Sequence, residues 1–120
     1  MNPRILVVDD EDILIRCYQR ILDNSGYQAD YVMSGAEALK RIEADRFDLI
    51  ILDYLMPEMN GMAVLESTRE IQPDLKVIMV TGLDKMETQA RARDLGVFDY
   101  LPKPFDPDDL KRAVARAVAQ

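Results

Sequence analysis

Asp9-Asp10, Asp53, Thr81 and Lys103 are the residues whose types, brought together, could do chemistry. Each closes or follows a short apolar run: Ile5-Leu6-Val7-Val8 before the acid pair, Leu49-Ile50-Ile51-Leu52 before Asp53, Val77-Ile78-Met79-Val80 before Thr81, and Phe98 to Leu101 ahead of Lys103. Runs this short with no polar alternation suit strands covered on both faces. In open parallel sheets ligands bind in the crevice outside the strand C-termini, and these residues would converge there. Three carboxylates in one place repel and raise one another's pKa unless a cation neutralises them, and an all-oxygen set favours magnesium or manganese. With such an ion, Asp53 can act as a nucleophile toward phosphorus, Lys103 can share the developing charge, and Thr81 can donate a hydrogen bond to an incoming oxygen. Taken singly, each has a plainer use: an acid pair opens a helix, a Thr or Asp ends a strand, and Lys-Pro makes a turn.

The elements that must position these residues follow in order. Strands are expected over Arg4 to Val8, Tyr27 to Met33, the run ending at Asp53, Leu75 to Val80, and Phe98 to Leu101. Between them the spacing predicts helices from Asp12 to Ser25, from Ser34 to Ala44, from Gly61 to Ile71, from Lys85 to Leu95, and from Asp106-Pro107 to about Ala119. Gly26 and Gly96 stop the first and fourth, Ser34 to Glu37 forms a capping-box pattern, and Asn60 is the expected cap of the third. In the first helix Ile13, Leu14, Cys17, Tyr18, Ile21 and Leu22 form the apolar stripe, which leaves Ile15 on the other side and places Cys17 in the core. The fourth helix has few large apolar residues; Met86, Ala90 and Leu95 are its expected anchors, so it should pack lightly. Five strand-helix units in sequence imply an α/β fold of the (βα)5 doubly wound kind, a five-stranded parallel sheet in the order 2-1-3-4-5 with helices on both faces.

Composition narrows the function. At 120 residues and 48% hydrophobic, residues 1–120 read as a single domain. The chain has no histidine, which excludes Ser-His-Asp and Cys-His catalysis and imidazole metal sites, and means that any phosphohistidine donor lies in another protein. A net charge of −7 disfavours direct nucleic-acid binding and attraction to an anionic membrane. No apolar run reaches the roughly 18 residues of a membrane span and no signal-peptide pattern opens the chain, so a cytoplasmic location is expected.

The motifs resemble, over essentially the whole length, those of bacterial two-component response-regulator receiver domains of the CheY-like, flavodoxin-like fold. Val7-Val8-Asp9-Asp10-Glu11, Leu52-Asp53-Tyr54-Leu55-Met56-Pro57 through Asn60-Gly61, Val80-Thr81-Gly82 and Tyr100-Leu101-Pro102-Lys103-Pro104-Phe105 carry the resemblance in order and spacing. It implies that Asp53 is the phosphoacceptor, that Asp9, Asp10, Asp53 and the backbone carbonyl of Leu55 hold Mg2+, and that Lys103 contacts the phosphoryl group. Thr81 and Tyr100 match the family's switch pair, and a cis Lys103-Pro104 peptide is expected. Leu55 and Leu83 depart from the commoner polar choices and would shield the acylphosphate from water.

The resemblance implies a phosphorylation-dependent signalling switch, not an enzyme acting on other molecules, which takes its phosphoryl group from a histidine kinase or a histidine phosphotransfer protein. Such a partner could dock on the first helix, with Leu14 or Ile15 partly exposed. The signal would leave through α4-β5-α5, where Lys85, Arg91, Arg93, Lys111 and Arg112 suggest a homodimer surface or an acidic partner. An aspartate-nucleophile phosphatase of the haloacid-dehalogenase type is the alternative with chemistry, since Asp10-Glu11-Asp12 superficially matches its Asp-x-Asp, but no cap insertion follows. A flavin carrier would need a Ser/Thr/Gly-rich loop where this chain has four acids, and a receiver-shaped interaction domain that is never phosphorylated would not need all five site residues.

Overall fold

In a computed structural model, the structure describes residues 2–82 and 86–119. Five strands, β1 (Ile5–Val8), β2 (Ala29–Val32), β3 (Leu49–Asp53), β4 (Lys76–Thr81) and β5 (Asp99–Pro102), alternate with α1 (Asp12–Asn24), α2 (Gly35–Ala44), α3 (Gly61–Ile71), α4 (Met86–Asp94) and α5 (Pro107–Val118). The strands form one parallel sheet in the order β2-β1-β3-β4-β5, as expected. Alternation along the strands feeds two cores. Leu6, Val8, Ile50, Leu52, Val77 and Met79 meet residues of α2, α3 and α4, while Ile5, Val7, Leu49, Ile51, Ile78 and Val80 meet α1 and α5. Burial on both faces is why these strands read as unbroken apolar runs.

The helix ends follow local chemistry. Ser34 accepts from the Glu37 N–H at 3.1 Å, and Asn60 Oδ1 accepts from the Ala63 N–H at 3.0 Å. Gly26 and Gly96 take φ of 82° and 75° just past α1 and α4, a region that favours glycine.

Three long polar side chains from the end of α3 and the start of β4 satisfy carbonyls that a helix C-terminus leaves open. Arg69 donates to Leu95 O at 2.7 Å and Gly96 O at 2.9 Å at the end of α4, and to Leu75 O at 2.6 Å. Gln72 Nε2 donates to Ile42 O at 2.8 Å and Asp45 O at 2.9 Å at the end of α2, and Lys76 Nζ to Ala117 O at 2.6 Å in α5. The N-terminal edge of the sheet is thereby tied across three helices.

Two expectations about packing are corrected. In α1 the buried side is Ile15, Tyr18, Ile21 and Leu22, so Ile15 is in the core, whereas Ile13 is 75% exposed. Cys17 is exposed, not packed, because it lies roughly 200° around the helix from Ile15. In α4 the buried residue is Ala92; Met86 is 86% exposed and Ala90 is exposed, so neither anchors it, and Leu95 is partly buried just beyond its end. The light packing of α4 follows from having one small residue to bury. Leu83 and Lys85 lie outside the described residues.

Candidate functional site

The site is built where β1, β3, β4 and β5 end. Asp9 follows β1 and is 0% exposed, Asp53 closes β3 and is 2% exposed, and Thr81 closes β4 and is 1% exposed. Lys103 is brought in by its own backbone, whose N–H donates to Thr81 O at 2.8 Å just after β5. The Lys103-Pro104 peptide is cis, as expected. Carboxylate oxygens of Asp9, Asp10 and Asp53 lie within 4.8 Å of one another. Lys103 Nζ donates to Asp53 Oδ1 at 2.9 Å and stands 3.7 Å from Asp9 Oδ2.

The charge balance is incomplete. Burial raises the pKa of Asp9 from 3.8 to about 6, the Glu11 N–H on Oδ1 at 3.0 Å pulls it down, and the Asp53 charge adds to the rise. Asp53 is also raised, by burial first, despite the Lys103 hydrogen bond and the Leu55 N–H that favour its ionised form. Burial works against the Lys103 ammonium, but the hydrogen bond it donates to Asp53 and the Asp53 and Asp9 charges outweigh it and hold its pKa up. Among the described residues, Asp9 Oδ2 is a buried oxygen with no hydrogen-bond partner. One ammonium, in contact with two of them, therefore stands against three carboxylates, and one buried carboxylate oxygen has no hydrogen-bond partner. That donor set fits a hard divalent cation.

The remaining expected residues are placed as follows. Leu55 is 55% exposed beside the acids, and Tyr100 is half-buried in β5, opposite Met79, against the core under α2, α3 and α4. Of the expected cations near α4 and α5, Arg91 is paired with Glu66 and Arg112 with Asp109, while Arg93 and Lys111 are exposed. Sequence reasoning missed the field of these acids reaching α1: Tyr18 is buried beneath the site, with its hydroxyl pKa raised by burial and then by the Asp9 and Asp53 charges, and its ring 5.8 Å from that of Phe105. The signal was present, since Tyr18 falls on the true apolar stripe beside Ile15.

Residues 5–115 match the family model described as response regulator receiver domain. The chain is 36% identical over 114 residues to the alkaline phosphatase synthesis transcriptional regulatory protein PhoP of Bacillus subtilis, covering 95% of this chain and 48% of that protein. It is 37% identical over 110 residues to the response regulator MprA of Mycobacterium ulcerans, covering 92% and 47%. The chain thus spans about half the length of the curated relatives it matches. Among solved structures, the CheY-like response regulator receiver domain protein of Methanospirillum hungatei superposes with a TM-score of 0.94 at 31% identity, covering 99% of this chain and 95% of that one. Motif order, sheet order and acid cluster agree with these likenesses, and the chain belongs to the response-regulator receiver domain family of two-component signalling.

Proposed function

We propose that residues 1–120 form one receiver unit in which Asp53 accepts a phosphoryl group from a phosphohistidine on a histidine kinase or phosphotransfer protein. The observation that carries this is a buried carboxylate at a strand end, 2.9 Å from a lysine ammonium and within 4.8 Å of two further acids. An Asp53 oxygen forms the new P–O bond as the P–N bond breaks, and the electron pair stays on the departing imidazole. Lys103, held by the Thr81 carbonyl, follows the charge from the carboxylate to the phosphoryl oxygens. Asp9, Asp10, Asp53 and the Leu55 carbonyl would hold Mg2+, or Mn2+, which supplies the positive charge that the single lysine leaves short. Exposed Leu55 covers one approach to the acylphosphate and offers water no polar side chain.

Membership of the family implies a histidine kinase partner and a signalling switch, not turnover of a substrate. The large exposed hydrophobic residues among the described ones, Ile13, Met33, Leu55 and Met86, stand at or near the strand C-termini that carry the acids. An apolar surround at an acidic pocket supports docking of a protein donor. Leu14 is partly exposed, as expected, and Ile15 is buried, so the contact on α1 is assigned to Ile13, the exposed large apolar residue there, with Leu14 beside it. We further assign Thr81 and Tyr100 to the switch. The Thr81 hydroxyl turns to the phosphoryl group, the Tyr100 ring follows, and α4-β5-α5 is the surface that changes, including for a homodimer. Among the described residues no helix is long and apolar enough to cross a membrane, which accords with a cytoplasmic switch.

The deciding experiment is intact mass after incubation with Mg2+ and acetyl phosphate or a phosphohistidine protein. Wild type should gain one base-labile phosphoryl group and Asp53→Asn none. Equal gain by both would remove Asp53 from its role.

A further inference from the structure

Gly61 opens α3 with nothing between it and the backbone of the acceptor strand. A Cβ built there would lie 2.6 Å from the Asp53 carbonyl oxygen and 2.8 Å from Tyr54 Cα, distances that side chains do not tolerate and that backbone atoms cannot swing away from. The Gly61 N–H also donates to Tyr54 O at 2.7 Å, while the Tyr54 N–H donates to Val80 O at 2.9 Å. Tyr54 is thus gripped on both sides, by β4 and by the first residue of α3. The next residue, Leu55, turns its N–H to favour the ionised Asp53 carboxylate and carries the carbonyl assigned to the metal. Asn60 secures the arrangement by capping Ala63 N–H at 3.0 Å.

We infer that Gly61 is a positioning residue for the phosphoryl-accepting site: its missing side chain lets α3 press directly on the Asp53-Tyr54 backbone and so fixes the Leu55 peptide against the acids. Side-chain packing alone would make Gly61 a stability residue. The contact with the backbone of the acceptor itself makes it act on the chemistry, because an ångström-scale shift of a reacting group can cost about a hundredfold in rate. The inference rests on the assignment of Asp53 as acceptor, and the controls separate the two.

The test compares Gly61→Ala with Gly26→Ala, which strains a glycine at φ 82° with open space around it, past the end of α1 at the opposite edge of the sheet. Both variants are held in conditions where circular dichroism shows them folded. Three readouts are taken: amide shifts of residues 53–55 in metal-free protein, Mg2+ affinity by titration, and the rate of phosphorylation by acetyl phosphate. Gly61→Ala should move those shifts and lower Mg2+ affinity and rate by about tenfold or more, the size expected of a group supporting a metal's ligands. Gly26→Ala should lose stability and leave all three near wild type. If Gly61→Ala does not fold, Asn60→Ala replaces it, since it loosens the same turn with the glycine retained, and it should change the three readouts in the same direction. Loss of stability alone in the Gly61 or Asn60 variant overturns the inference. A wild type that binds Mg2+ but takes no phosphoryl group overturns the acceptor assignment and leaves the shift comparison to decide the role of Gly61.

Discussion

Removing one charge from the acid cluster should stabilise the metal-free protein, and the structure sets the size. Asp9 is 0% exposed, and its pKa rises from 3.8 in the unfolded chain to about 6 in the fold. For an acid with a raised folded pKa, the folded state holds more protons than the unfolded one between those two values. Stability therefore falls as pH rises through that window and stays low above it. Each pH unit is worth about 1.4 kcal/mol, so ionising Asp9 inside the fold costs about 3 kcal/mol. Asp9→Asn keeps an oxygen for the Glu11 N–H and removes the charge. Lys103 loses an anion at 3.7 Å but keeps Asp53 at 2.9 Å, which trims the gain only in part. At neutral pH without divalent cations, the variant should exceed wild type by about 2–3 kcal/mol. The gap should vanish below the unfolded pKa, and added Mg2+ should narrow it by stabilising wild type more than the variant. Urea unfolding in chelator across the pH range gives the difference curve directly. A flat curve, or a variant less stable than wild type at neutral pH without metal, would refute the electrostatic account.

Arg69→Met keeps the aliphatic stem but leaves carbonyls of Leu75, Leu95 and Gly96 without their donor, and should cost about 3 kcal/mol in urea unfolding, with faster amide exchange at the C-terminal end of α4; an unchanged midpoint would count against the clasp. Glu58 sits at φ 70°, so Glu58→Gly should raise stability by about 0.5–1 kcal/mol, read as a shift in the melting temperature, and a loss would mean that its side chain matters more than its backbone. Ile13→Asp, at a 75% exposed position, should leave stability near wild type and slow transfer from a phosphohistidine protein but not from acetyl phosphate, whereas Ile15→Asp should cost several kcal/mol because it buries an unpaired charge. Equal slowing with both donors in Ile13→Asp would place its effect in the site, not in docking.

What the sequence made legible was whatever depends on burial along a short run. Ile5 to Val8, Leu49 to Leu52 and Val77 to Val80 are apolar without alternation because helices cover both faces, and that marked their ends and hence the acids and threonine that follow. The α1 face was not legible. Ile13, Leu14, Ile15, Cys17, Tyr18, Ile21 and Leu22 contain two overlapping stripes, and periodicity cannot choose between them when apolar residues occupy adjacent positions. The fold chooses the stripe that sets Ile15 and Tyr18 against the sheet, and so turns Ile13 and Cys17 outward. Arg69, Gln72 and Lys76 were equally hidden. A polar residue at a helix end or strand start looks solvated until the carbonyls it serves, in other helices, are brought to it. Within the site, the identities of the acids and Lys103 could be read, but not the orphaned Asp9 oxygen, which depends on how one ammonium divides its attention.

The two edges of the sheet are built for opposite purposes, and α4 spans them. At the N-terminal edge, backbone carbonyls of three helices are satisfied by side chains from one short stretch, residues 69–76. At the C-terminal edge the carboxylates outnumber the ammonium beside them, and large hydrophobic side chains face solvent. Unfavourable charge there is affordable because the opposite edge holds the fold. Helix α4 is fixed at its far end by Arg69 and buries only Ala92 along its length, while its first residue, Met86, is 86% exposed. In the proposed switch, a displacement arriving at Thr81 would reach α4 at the end opposite to the one that Arg69 holds. The low packing that made α4 hard to anchor from sequence would, in that switch, let it shift without unfolding its neighbours.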